Sequence, residues 1–254
     1  MNWHARYLQQ AAWTREVRSY LLTRAGVKEA GSVLEVGCGT GAILSDLDTP
    51  AALHGLDLDS AALIHCRDYV PRVMLTRGDG HFLPYPNRCF DIVFCHFLLL
   101  WVKDPIAVVS EMARVGRSVL ALAEPDYQQR IDEPASLQFL GKLQIESLQK
   151  QGADPTRGAQ LADIFHRAGL NIIETGPIQP ATKALDPDEW EGELEGEWEV
   201  IESDLKGFIS PNQIKEYRRM DREARQAGAR ILHIPTYFAW GESLSQSIDA
   251  EMAV

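Results

Sequence analysis

The chain has 254 residues, 45% of them hydrophobic and 24% charged, which is enough apolar material to bury a full core. Its net charge is −11, and ten acids with no Lys or Arg between residues 186 and 204 account for −10 of it, so no basic stripe is left to neutralise nucleic-acid phosphates. The four cysteines (Cys38, Cys66, Cys89, Cys95) form no CxxC pair, which weighs against a metal site or a disulfide framework and points to a reducing cytoplasm. The apolar-rich run from Phe94 to Val102 is too short to span a bilayer, and the N-terminal residues lack a signal-peptide core. The expectation is a soluble, cytoplasmic protein without metal, meeting neither nucleic acid nor membrane.

In chain order, residues 2 to 24 predict a helix, with Trp3, Tyr7, Ala11, Val17 and Leu21 at roughly helical spacing and arginines between them. Val33-Leu34-Glu35-Val36 then reads as a strand. Gly37, Gly39 and Gly41 follow as a tight turn around Cys38, and a helix over 41 to 47 is expected behind it. Glycine there allows positive φ and lets a ligand approach the backbone. Gly37-x-Gly39-x-x-Ala42 with Asp57 twenty residues on satisfies a dinucleotide fingerprint, which would make the protein an NAD(P)-dependent oxidoreductase. Glu35 argues against it. A carboxylate beside the loop repels a pyrophosphate and suits an ammonium or sulfonium group. No Tyr-x-x-x-Lys pair occurs either.

Glu35 followed by Gly37-x-Gly39-x-Gly41 resembles motif I of the class I S-adenosylmethionine (SAM)-dependent methyltransferases, of the small-molecule kind similar to methyltransferase types 11 and 25. The resemblance covers roughly residues 31 to 126 well and 158 to 240 in outline. It implies a Rossmann-like, doubly wound α/β sheet of about seven strands, the last antiparallel, with helical cap insertions. It also implies SAM as cofactor and S-adenosylhomocysteine as product. Asp57 ends the second strand, Leu53 to Asp57, where its carboxylate would take both ribose hydroxyls, and Leu58 would flank the adenine. After a third strand, Val73 to Arg77, Gly78-Asp79-Gly80-His81-Phe82-Leu83-Pro84 is similar to the family's "GDA-x-x-LP" segment. Asp79 would receive the adenine amino group, Gly80 would give a backbone N–H, and His81 would lie at the rim. Many relatives lay an N-terminal helix over the cofactor, so residues 1–24 form a candidate lid with Tyr7 or Arg15 reaching the methionine carboxylate.

The fourth strand, Phe90 to Cys95, opens with the family's "FD-x-V", and His96 to Val102 is similar to the segment that closes over the sulfonium. Asp104-Pro105 starts a helix to about Val115, and Ser118 to Glu124 is the fifth strand. Helices are then expected over 133–150 and 158–168, a sixth strand over Leu170 to Thr175, helices over about 187–206 and 211–227, and a last strand over 234–240. We read residues 1–254 as one domain in which 126–157 and 177–231 are inserted as a cap over the acceptor. The acid run reads as a solvated helical face, with Leu194, Trp190 and Trp198 turned inward.

Methyl transfer is an in-line displacement that needs positioning and exclusion of water, with a base only where the acceptor must lose a proton. His96, at the end of the fourth strand, is the candidate base or orienter and a cofactor neighbour; a packed, hydrogen-bonded histidine is the other reading. Phe97, Glu124, Tyr127, Trp198 and Tyr237 are the candidate acceptor-pocket residues, with Asp126 capping the turn between two of them. The expected partner is a small, partly apolar methyl acceptor offering O, N or C. A homodimer and a non-catalytic SAM-binding role stay open.

Overall fold

The strands form where apolar residues recur on both faces, as a sheet covered by helices on each side requires. In the computed structural model, which describes residues 3–179 and 187–244, five parallel strands are β1 (Ser32–Val36), β2 (Ala52–Asp57), β3 (Met74–Arg77), β4 (Phe90–Cys95) and β5 (Gly116–Pro125). Two more, β7 (Leu170–Pro177) and β9 (Thr236–Ser243), complete the order β3-β2-β1-β4-β5-β9-β7, with β9 antiparallel to both neighbours. Alternation assigns the faces: Val33, Leu53, Ile92, Phe94 and Leu120 join one core, and Leu34, Leu56, Val93, Cys95 and Val119 the other. Helices α1 (Trp3–Trp13), α2 (Arg15–Arg24) and α3 (Ser60–Tyr69) lead into or follow the first strands, and α2 contributes Leu21 and Leu22 to the first core. Helices α4 (Pro105–Val115) and α6 (Leu161–Arg167) cover the second, through Val108, Val109, Met112 and Ile164.

The strand order reverses between β1 and β4, so a crevice opens at their carboxyl ends. Over it lies a third cluster of α5 (Gln138–Lys150), α7 (Pro187–Asp204) and α8 (Pro211–Gln226), packed through Leu140, Leu143, Leu194, Trp198, Ile201 and Ala224. Helix α8 starts at a capping box in which Ser210 Oγ accepts from Gln213 N–H and Gln213 Oε1 from Ser210 N–H. Asp186, expected to cap α7, and the side chain of Trp190 lie outside the described residues.

Four features differ from the sequence reading. The N-terminal helix is broken at Thr14 (φ −110°, ψ 7°), whose hydroxyl turns inward. The helix expected over 41–47 is only a 3-10 turn, Leu44–Asp46, because Gly41 at φ +79° bends the chain away. A two-stranded sheet of β6 (Ile131–Glu133) and β8 (Ile231–His233) ties the two insertions together. The acid-rich face of α7 is not simply solvated: Glu195 and Glu202 pair with Arg218, Glu195 also with Arg222, and Glu197 with Arg225, all on α8.

Candidate active site

At the end of β1, Glu35 is 2% exposed, and its Oε2 meets no hydrogen-bond partner among the described residues. Burial pushes its carboxyl well above the usual glutamate range, with the cation of Arg18 opposing. Beside it the glycine loop uses its own donors. Gly37 and Cys38 N–H both donate to Leu56 O, at 2.7 and 3.1 Å, and Gly39 N–H donates to Asp57 Oδ2 at 2.7 Å. Asp57 Oδ1 accepts from Asp59 N–H at 2.9 Å, and each carboxylate oxygen keeps a second lone pair for a ligand hydroxyl.

The three glycines serve different needs. A Cβ on Gly37 would come within 2.7 Å of Leu98 Cδ1, and one on Gly41 within 2.6 Å of Cys66 Sγ, so both positions are closed by packing. A Cβ on Gly39 would meet only the Tyr7 ring, at 3.4 Å. That ring, from α1, lies over the loop.

On β4's exit, His96 Nε2 is 2.9 Å from Thr14 Oγ1, the hydroxyl exposed to it by the break between α1 and α2. Burial, then the nearby Arg18 cation, pushes the His96 pKa down to about 3, so the ring is neutral at ordinary pH. Phe97 follows at φ +52°, a left-handed backbone that costs a non-glycine residue roughly 1–2 kcal/mol. The bend is fixed from behind by Glu124, fully buried, whose carboxylate accepts from the N–H groups of Leu98, Leu99 and Leu100 at 2.8, 2.7 and 3.2 Å.

These groups border a cavity of about 780 Å³, within the range of small-molecule sites. Tyr7, Glu35, Gly37, Cys38, Gly39, Asp57, His96, Phe97 and Tyr127 all line it. Several other expected residues do not. Gly41 and Gly80 pack against side chains, Gly80 facing Val36 and Val108. Leu58 is 65% exposed. Arg15 points to Asp46 at 3.5 Å, away from the cavity, and Asp79 lies outside the lining with its Oδ1 on the His81 backbone N–H and Nδ1.

Three acceptor-side expectations are likewise corrected. Glu124 braces the loop from behind the cavity. Trp198 is the centre of the cap core, its Nε1–H donating to Asp221 Oδ2 at 3.0 Å. Tyr237 packs on the second core with its hydroxyl toward Gln129. Asp126 caps its turn as expected, accepting from Gln128 and Gln129 N–H.

In their place the cavity is walled by residues the sequence reading passed over. Arg6, Gln10, Trp13 and Thr14 come from the first helices, Gln144 and Leu148 from α5, Glu197, Val200 and Asp204 from α7, and Leu232 to Ile234 from β8. Arg6, Gln10 and Trp13 stand at i, i+4 and i+7, one helical face, which is a signal the sequence did contain. Among the described residues no group of three His, Cys, Asp or Glu could hold a metal, and no helix is long and apolar enough to cross a membrane.

A family described as "Methyltransferase domain" matches residues 34–119. The chain is 34% identical over 183 residues to a malonyl-[acyl-carrier protein] O-methyltransferase of Halorhodospira halophila, covering 69% of this chain and 58% of that protein. It is 28% identical over 175 residues to a trans-aconitate 2-methyltransferase of an Enterobacter species, covering 67% and 66%. It thus spans less than two thirds of the length of these curated relatives. Its fold is similar to that of a geranyl diphosphate C-methyltransferase from Streptomyces coelicolor, solved with Mg2+, geranyl diphosphate and S-adenosylhomocysteine. The TM-score is 0.55 at 11% identity, over 89% of this chain and 78% of that one. The strand order, the motif residues and these matches agree: the chain belongs to the class I SAM-dependent methyltransferase family.

Proposed function

We propose that the protein is an enzyme that transfers the methyl group of SAM to a small molecule held in the cavity beneath α5 and α7. One observation carries this reading. A buried carboxylate with one oxygen left without a partner among the described residues, Glu35, adjoins a glycine loop whose Gly37, Cys38 and Gly39 N–H groups are spent on Leu56 and Asp57. Such a place rejects a pyrophosphate, which needs free donors and no anion, and fits a nucleoside that carries a cation. In this reading Glu35 accepts from the cofactor's ammonium, Asp57 from the ribose hydroxyls, and Tyr7 covers the chain between them. Asp79 holds His81 through Oδ1 alone, so its Oδ2 would receive the adenine amino group.

When bound, SAM supplies a methyl group already activated by its sulfonium. What remains for the chain is to position the acceptor and keep water out. His96, neutral and anchored to Thr14, presents a ring at the cavity wall that orients an acceptor or accepts a hydrogen bond from it. A pKa near 3 makes it a poor proton store, so the reading favours an orienting role over a base. Tyr127, whose hydroxyl burial holds above its ordinary pKa, stays protonated and can donate. The inserted segments 126–157 and 177–231 act as the acceptor cap, since α5 and α7 supply its far wall. The relatives' names include an O- and a C-methyltransferase, so the nucleophile is left as O, N or C.

Incubating the protein with SAM labelled in the methyl group and a small-molecule extract tests the proposal. Label should enter the small-molecule fraction. If S-adenosylhomocysteine binds but no label moves, the protein is a SAM-binding module and the enzymatic reading fails.

A further inference from the structure

Six Arg, Asp or Glu side chains line the cavity: Arg6, Glu35, Asp57, Arg130, Glu197 and Asp204. Glu35 and Asp57 are assigned to the cofactor. Arg130 is held by both oxygens of Asp132, and Glu197 is paired with Arg225. Arg6 and Asp204 are left over.

Arg6 is half-buried on α1, over the Trp13 ring at 5.5 Å, and it donates to the neutral Gln9 at 3.2 Å. No carboxylate stands within 4.0 Å of it among the described residues. Asp204 is half-buried at the last residue of α7 and accepts from Gln144 Nε2 at 2.9 Å, with no Arg or Lys within 4.0 Å among the described residues. The C-terminal end of a helix carries partial negative charge, which adds to the pull of Asp204 on a cation.

The two groups feel one another. Burial lowers the Arg6 pKa and raises that of Asp204, and each opposes the shift of the other. Arg6 is also influenced by Tyr127, Glu197 and Glu199, which places it on the acceptor side of Tyr7 rather than with Asp57. Two opposite charges therefore face one cavity, close enough to interact and too far apart to pair. Half-buried charges left so are poorly compensated unless something bridges them. A purely anionic acceptor would meet Asp204, a purely cationic one would meet Arg6, and a neutral one would leave both unpaired.

We infer that the methyl acceptor is a zwitterion, with its anionic group on the Arg6 guanidinium and its ammonium or other cationic N–H group on the Asp204 carboxylate. The inference rests on the methyltransferase reading of the same cavity. A carboxylate matches the guanidinium fork, so the anion is a carboxylate.

The test follows the charge of the product. Wild-type protein is incubated with methyl-tritiated SAM and a small-molecule extract, and unreacted SAM is removed on charcoal. The labelled product is then passed over a cation exchanger at acid pH and an anion exchanger at alkaline pH. Retention on both is expected. Arg6→Gln and Asp204→Asn should each raise KM for that acceptor roughly ten- to a hundredfold, the scale of a lost hydrogen bond to a charged group, and leave the S-adenosylhomocysteine Kd within about twofold. Arg6→Lys should recover part of the loss for a carboxylate acceptor. A product retained on one exchanger only, or on neither, overturns the zwitterion while leaving methyl transfer standing. Unchanged KM values in both variants overturn the assignment to Arg6 and Asp204. If no label moves and S-adenosylhomocysteine does not bind, the underlying methyltransferase reading is what has failed.

Discussion

Replacing Glu35 by glutamine separates what this side chain costs the empty protein from what it contributes to binding. In the free state the carboxyl is 2% exposed, one oxygen has no partner, and burial opposes its charge. Glutamine keeps the shape, and its amide inherits the same shortage of partners, so folding stability should change by less than about 1 kcal/mol. Binding should change much more, because a hydrogen bond to a charged group contributes about 1.5–3 kcal/mol, or roughly 10- to 150-fold in Kd. A midrange loss of about 30-fold can be worked through to a thermal shift. With S-adenosylhomocysteine at 100 times the wild-type Kd, wild type gains about 2.7 kcal/mol and the variant about 0.9 kcal/mol. At about 2–4 °C per kcal/mol for a chain of this size, the melting temperature should rise by about 5–11 °C in wild type and about 2–4 °C in Glu35→Gln.

Proton linkage adds a second readout. Because the free-state carboxyl is raised, binding an ammonium requires its ionisation, so affinity should increase with pH until Glu35 is ionised, and the slope should vanish in the variant. Differential scanning fluorimetry across a pH series measures both. Equal shifts in the two proteins would show that the ammonium does not sit on Glu35.

Further expectations follow from the neighbouring groups. Asp57→Ala should weaken S-adenosylhomocysteine by about 1.5–3 kcal/mol in calorimetry without unfolding the protein, since it removes a half-buried strand-end carboxylate; an unchanged Kd moves the ribose elsewhere. Gly41→Ala should lower urea stability by at least about 1–2 kcal/mol, through φ +79° and the 2.6 Å approach to Cys66 Sγ, and a neutral result would mean the loop is looser than drawn. His96, with its pKa near 3, should give kcat/KM no acidic limb between pH 5 and 8; a limb that disappears in His96→Asn would restore it as a base. Glu124 has its pKa raised from 4.5 to about 7 by burial, so the folded state holds the proton longer than the unfolded chain does. That contribution is full below pH 4.5 and lost as pH rises through about 7, a downward slope that Glu124→Leu should remove and urea titrations at pH 5 and 8 should reveal.

The sheet was legible in the sequence because each central strand is apolar on both faces, a pattern a half-exposed strand does not give. Val33 and Leu34 end up in different cores, as do Phe94 and Cys95. Glu35, Gly39 and Asp57 could be read together because their mutual distance is set by two parallel strands in register, Val36 opposite Leu56. The acceptor wall was less legible. Aromatic content cannot tell a pocket from a core, so Trp198 and Tyr237 were assigned to a surface that Glu197, Val200 and Asp204 provide instead. Glu124 looked functional at a strand end, yet its oxygens turn back onto the next loop, a choice governed by three N–H groups 24 to 26 residues earlier. Arg6 and Asp204 face one cavity because α1 and α7 approach at Gly196, where a Cβ would strike Gln9. No local pattern encodes that contact.

The central claim is that the cavity beside Glu35 is built for a cationic nucleoside and not for a dinucleotide. Isothermal titration of the purified chain with S-adenosylhomocysteine and, separately, NADH tests it most directly. The account predicts saturable one-to-one heat with S-adenosylhomocysteine at a micromolar-scale Kd, about −8 kcal/mol, and none with NADH. Tight NADH binding without S-adenosylhomocysteine heat would contradict it.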